Sequence, residues 1–195
     1  MKQLLTENIT FKPILLEGKS SRGNPIIKSI LLATAEIENG NGRYYSIPLW
    51  ERELSKYFQC VKENRAIGEL DHSNSEIINL KNVSHNIINL WWEGKKILGD
   101  IEILPTPSGN ILKTLLESGI AVGISSRGMG SLEQKGEVME VQDDFDLLCW
   151  DFVSTPSNPG SYATRSNLNE SQTLNFNKYL NVNKIITDIL CSNNF

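Results

Sequence analysis

The apolar positions change period several times along the chain, and each change predicts an element. Two early runs, Phe11 to Glu17 and Pro25 to Glu36, are rich in Ile, Leu and other β-compatible residues and flank the polar Gly18 to Asn24, which predicts two strands joined by a loop. Asn39-Gly40-Asn41-Gly42 follows as a turn, because Asn and Gly tolerate positive φ. From Pro48 to about Asn64 the period becomes helical. Leu49, Trp50, Leu54, Tyr57, Phe58 and Val61 fall on one stripe with Glu51, Arg52, Glu53 and Lys56 between them, predicting an amphipathic helix opened by proline.

Short apolar runs return between Ala66 and Leu104. Val83 to Trp92 and Ile97 to Leu104 read as strands around a Glu93-Gly94-Lys95-Lys96 hairpin turn. A second helix is predicted after Pro105-Thr106-Pro107-Ser108-Gly109, with Ser108 as cap, Ile111, Leu112, Leu115, Leu116 and Ile120 as its stripe and Gly119 at its end. Ala121 to Ser126 and Leu147 to Thr155 are further strands, linked by the polar stretch Glu133 to Asp146 with a turn at Gly136. Beyond Pro159 the chain turns Asn-rich: Gly160 to about Asn177 reads as a linker, and Lys184 to Leu190 as a short helix.

With 195 residues, 39% of them hydrophobic and 22% charged, the chain suits one globular domain with a sizeable core. A net charge of −4 provides no concentrated basic face, which argues against direct nucleic-acid binding and against an anionic membrane surface. No segment approaches the ~20 apolar residues of a membrane span, and Met1 to Lys12 lacks the apolar core of a signal peptide. Cys60, Cys149 and Cys191 are dispersed and odd in number, so neither a disulfide framework nor a thiolate metal site is expected, and a reducing cytosol is the natural setting.

Three segments could carry chemistry. His72 lies in Gly68-Glu69-Leu70-Asp71-His72, while the other histidine, His85, sits in a strand-like apolar run and reads as a core or interface residue. Gly123-Ile124-Ser125-Ser126-Arg127-Gly128 offers two hydroxyls at an apolar strand's end, where a nucleophile can stand on a rigid support beside backbone N–H groups. By itself this is also ordinary turn chemistry, and its glycine spacing differs from the nucleophile elbow. Asp151, within Trp150-Asp151-Phe152-Val153, places a carboxylate in an apolar strand and so implies a partner, whether an ordinary salt bridge or a catalytic group. Asp143, Asp144 and Asp146 read as a solvated loop.

Taken in order, Gly-Glu-Leu-Asp-His, Gly-Ile-Ser-Ser-Arg-Gly and Trp-Asp-Phe-Val-Ser-Thr-Pro-Ser-Asn-Pro closely resemble the prohead core proteases of large tailed bacteriophages, distant relatives of the herpesvirus assemblins. The resemblance continues through Asn41-Gly42-Arg43-Tyr44-Tyr45, Trp91-Trp92-Glu93-Gly94 and Thr106-Pro107-Ser108-Gly109, and covers roughly residues 10 to 165. It implies an α+β fold, mostly an antiparallel β-barrel flanked by helices and assemblin-like, with a protease domain over 1–165 and a linker and C-terminal tail over 166–195.

The resemblance also implies a serine endopeptidase of capsid maturation, acting on scaffold and major capsid proteins inside the immature prohead in the host cytoplasm, with self-association and no cofactor or metal. His72 is then the general base. Ser126 is the nucleophile, ahead of Ser125, because related enzymes carry Ser-x-Gly and only Ser126-Arg127-Gly128 reproduces it. The third role is His in the herpesvirus branch; here no His follows His85, and Asp151 is the best-placed acid. Arg127 and the backbone N–H groups of Arg127 and Gly128 stand in for the oxyanion arginines. Self-cleavage after Glu170, in Leu168-Asn169-Glu170, would remove the tail. The alternatives are an inactive scaffold or shell component that keeps the fold, and an esterase of unrelated fold.

Overall fold

Helix α1 (Ile47–Lys62) starts where the Ser46 hydroxyl accepts a hydrogen bond from the Leu49 N–H, with Pro48 in the first turn and Lys62 in the last, where a cation suits the carbonyl end. Its buried face takes Leu49, Trp50, Leu54 and Tyr57 from the predicted stripe, but Phe58 is exposed and Val61 only half-buried, while Glu53, read as polar surface, is buried because Arg52 and Lys56 pair with its carboxylate. The computed structural model describes residues 2–9 and 16–154. Helix α2 (Pro107–Glu117) is capped by Thr106, whose Oγ1 accepts from the Gly109 N–H at 3.0 Å. Ser108, the expected cap, lies inside the first turn because Pro107 already occupies a helical position, and its hydroxyl donates to the Lys81 carbonyl.

The fold is mixed α/β and mostly antiparallel. A five-stranded sheet runs in the order β2 (Leu16–Lys19), β3 (Pro25–Thr34), β7 (Lys96–Ile103), β6 (Val83–Glu93), β5 (Ile67–Glu69). A second sheet places β8 (Gly123–Gly130) between β1 (Gln3–Ile9) and β11 (Asp146–Val153). In a third, β10 (Val138–Val141) pairs with β9 (Leu132–Lys135) antiparallel and with β4 (Arg43–Tyr44) parallel.

An aromatic cluster holds α1 against the second sheet. Trp50 stacks on Trp150 with ring centroids 6.1 Å apart, Tyr57 meets Trp150 edge-on at 5.0 Å, and Tyr45 and Phe145 complete the group. Such pairs add about 0.5–1.5 kcal/mol each beyond the area they bury. The Trp150 indole N–H donates to the Leu32 carbonyl at 2.9 Å, which ties this cluster to the five-stranded sheet.

Two expectations need correction. Among the described residues the strands sort into three sheets and do not close a barrel: β5 meets β11 through one parallel pair, Leu70 with Phe152, and the pairing stops where Asp71, at φ 68°, turns the chain away. The strand expected at Ala121 to Ser126 runs on to Gly130, so the serines sit mid-strand and not at a strand-to-loop junction. The polar stretch 133–146 holds the β9–β10 hairpin, and of the early strand Phe11 to Glu17 only its end belongs to the described β2. The Asn-rich linker, the Lys184 to Leu190 helix and Glu170 lie outside the described residues.

Candidate active site

His72 owes its position to β5 and the turn that follows. The Glu69 N–H donates to Asp151 Oδ1 at 2.9 Å, and the Asp71 N–H donates to the Phe152 carbonyl at 2.7 Å, so β5 is pinned to β11 just before the histidine. Asp71 then adopts the left-handed conformation, which Asp tolerates because its side chain can bond locally, and its Oδ1 accepts from the His72 N–H at 3.0 Å. The turn brings the imidazole back over β11, with Nδ1 at 3.2 Å from Asp151 Oδ2. Gly68 makes the approach possible: a Cβ there would lie 1.9 Å from the Trp150 carbonyl oxygen.

Asp151 has no exposed side-chain surface, and His72 keeps about a fifth of its own. Burial, the largest influence, opposes ionisation of Asp151, but the His72 and Glu69 hydrogen bonds and the Arg127 charge outweigh it and hold the carboxyl below its usual range. An ionised Asp151 is a pure acceptor, so His72 Nδ1 carries the proton toward it. In the neutral ring this leaves Nε2 as the nitrogen with a free lone pair.

The strand register separates the two serines. Ser125 is the cross-strand partner of Asp151, and directly opposed residues share a sheet face; Arg127, two residues on, lies on that face too. Ser126 is paired with Trp150 and with Glu7 of β1, on the face that packs against α1. Both serines are buried. The hydrogen bond from Ser125 Oγ to the Ser126 carbonyl, at 3.5 Å, is too long to hold the hydroxyl firmly.

Surroundings of Arg127 and Gly128 do not match an oxyanion role. The Arg127 side chain is fully buried and faces the Glu69 and Asp151 carboxylates, with Nη2 at 2.8 Å from Glu69 Oε1 and Nε at 2.9 Å from Asp151 Oδ2. Both residues lie in the middle strand of a ladder and are paired on each side, Arg127 with Thr6 and Cys149, Gly128 with Leu5 and Leu147. Gly128 serves packing: a Cβ would lie 2.4 Å from the Phe145 ring, on the Ser126 face.

His85 is fully buried with both ring nitrogens bonded. Nε2 faces the Trp150 carbonyl at 3.0 Å and must carry the proton, leaving Nδ1 to accept from the Ser84 hydroxyl at 2.9 Å. Burial lowers its pKa to about 4, so it is neutral at pH 7 and committed to structure. The Cys149 thiol, under the Asp151–Arg127 contact, is pushed far up by burial and stays protonated. Among the described residues no group of three or more His, Cys, Asp and Glu side chains is arranged to hold a metal ion.

Sequence reasoning missed Glu69 and Asp71 as members of the site. Glu69 carried one usable signal, a charged residue inside the short apolar run Ile67 to Leu70, which a strand can bury only with a cationic partner. Asp71 carried none, since its left-handed φ follows from the bridge to Phe152, distant in sequence.

Residues 8–173 match the model of a family described as prohead core protein serine protease. The chain is similar to the prohead core protein protease of Enterobacteria phage T4, at 31% identity over 144 residues that span 71% of this chain and 68% of that protein. Its fold is similar to the solved structure of the bacteriophage T4 capsid assembly protease, with a TM-score of 0.71 and 25% identity over 78% of this chain and 98% of that one.

Proposed function

Since the chain belongs to the prohead core protein serine protease family, we propose that it is the serine endopeptidase of phage capsid maturation, with Ser125 as nucleophile, His72 as general base and Asp151 as the acid of the triad. The observation that carries this reading is the face shared by Ser125 and Asp151, with His72 Nδ1 at 3.2 Å from the same carboxylate. The pairing of Ser126 with Trp150, on the opposite face of the strand, supports taking Ser125 as nucleophile ahead of Ser126.

In this mechanism Ser125 Oγ attacks the peptide carbonyl carbon while His72 Nε2 takes the hydroxyl proton. Asp151 holds the Nδ1–H and stabilises the imidazolium. The proton passes to the leaving amine, the C–N bond breaks, and water activated by the same imidazole releases the acyl group. Substrates are the scaffold and major capsid proteins within the prohead, as the T4 relative's description as a capsid assembly protease suggests.

Self-cleavage on the C-terminal side of Glu170 belongs to the same proposal, and intact mass after incubation tests it: loss of residues 171 to 195 from the active chain and not from Ser125→Ala. For the mechanism itself the deciding experiment is fluorophosphonate labelling followed by peptide mapping. Label on Ser125 is expected; label confined to Ser126 defeats the assignment.

A further inference from the structure

Arg127 and Glu69 form an ion pair with no exposed side-chain surface on either partner. Burying such a pair is costly unless further hydrogen bonds satisfy both ions, and an apolar pair often serves stability as well. Here nearly every remaining position is filled, and by groups that surround His72. Arg127 Nη1 donates to Ser73 Oγ at 2.8 Å, to the Ser75 carbonyl at 2.9 Å and to the Ser73 carbonyl at 3.3 Å. Glu69 accepts from the Asn79 N–H at 2.8 Å and from Asn82 Nδ2 and Ser73 Oγ at 3.3 Å each. The segments on both sides of His72 are therefore anchored to one guanidinium. That guanidinium also reaches Asp151 Oδ2, the oxygen His72 uses.

We propose that Arg127 and Glu69 are positioning residues for the reaction: the pair holds Asp151 and the backbone flanking His72 in one geometry, and it sets the net charge beneath the imidazole at minus one. The inference rests on the triad reading above. The groups that set this charge are Asp151 from β11, Arg127 from β8 and Glu69 from β5; the protonated Cys149 from β11 adds none. Asp71 precedes the histidine, and Glu76 is exposed further along the loop.

The test is the pH dependence of kcat/KM for peptide cleavage by the full chain. Glu69→Gln keeps an acceptor for Asn79 but removes one negative charge near the imidazole, so the acid limb moves to lower pH by about one unit. Arg127→Lys keeps the charge but not the fork, so kcat falls on the order of 10- to 100-fold while the acid limb stays in place. A purely structural pair would change melting temperature and leave both readouts untouched. An unmoved acid limb in Glu69→Gln, or parental kcat in Arg127→Lys, overturns the proposal. If either variant fails to fold, the other decides. If neither folds, Ser73→Ala decides, with several-fold lower kcat expected and parental kcat overturning it. Full turnover in Ser125→Ala would instead defeat the triad reading.

Discussion

Asp151 and Ser125 face each other across the β11–β8 ladder, and the same carboxylate touches His72 at 3.2 Å, so three segments distant in sequence meet at one face of the sheet. This face is polar and buried; the opposite one carries Trp150, Phe145 and the helix α1 contacts. The neighbouring serines, one residue apart, therefore occupy different environments.

The first prediction follows from that division. Ser125→Ala should lower peptide cleavage by at least ~10³-fold with the fold intact, as loss of a triad nucleophile does. Ser126→Ala should retain most activity and act on packing. Cleavage assays with circular dichroism on both variants decide, and the opposite ranking would return the nucleophile to Ser126.

Much of this architecture is legible in the pattern of residues. Helix α1 follows from Leu49, Trp50, Leu54 and Tyr57, and the β6–β7 hairpin from Glu93 to Lys96. Strand β1 is not legible, because its Glu7 looks solvent-facing; it is buried by Arg43, Tyr45, Asn39 and Asn41, residues more than thirty positions away. That His72 and Asp151 belong together is legible from residue type and motif, and they meet at 3.2 Å. Which face each serine occupies is not legible, because it depends on which strands flank β8, and Gly128 packs against Phe145.

Asp151→Asn is the second prediction. The amide keeps the shape but can no longer stabilise an imidazolium or hold the tautomer, so turnover should fall by roughly 10³- to 10⁴-fold. Arg127 would keep Glu69 as its partner, so the fold should survive. Full turnover in a correctly folded Asp151→Asn chain would remove Asp151 from the mechanism.

The third concerns acid stability. His85 titrates near 6.5 when unfolded and at about 4 in the folded chain, because burial disfavours its charge. Below pH 6.5 the unfolded state binds the proton and the native state does not, so stability declines as pH falls through this window, by about 3 kcal/mol in all. Asp151 acts lower down: its depressed pKa gives stability that is present above the ordinary carboxylate value and lost as pH falls through the folded one. Urea titrations at pH 7 and pH 4.5 should show a smaller difference for His85→Gln than for the parent. An equal difference would mean that other groups govern the acid transition.

Gly128 separates packing from catalysis. An added methyl would press on the Phe145 ring, which Tyr45 and Trp50 hold edge-on, so Gly128→Ala should cost about 1–3 kcal/mol of stability. Turnover per folded molecule should stay near the parental value, because the site lies on the other face. If kcat collapses while melting temperature is preserved, the glycine serves the reaction after all.

Asp71 provides the last test, because it isolates the turn that carries His72. Its φ of 68° is a conformation in which an ordinary side chain is strained, and it is held there by the hydrogen bond to Phe152 and by the Oδ1 contact with the His72 N–H. Asp71→Gly removes the side-chain contact but keeps the conformation easy to reach. Asp71→Val loses the contact and adds a β-branched side chain that resists positive φ. If the turn is what aims the imidazole at Asp151, Asp71→Gly should keep activity within about tenfold of the parent, whereas Asp71→Val should lose about 1–3 kcal/mol of stability and a larger factor in kcat than in KM. Equal kcat in the two variants would show that the imidazole finds Asp151 without help from the backbone turn.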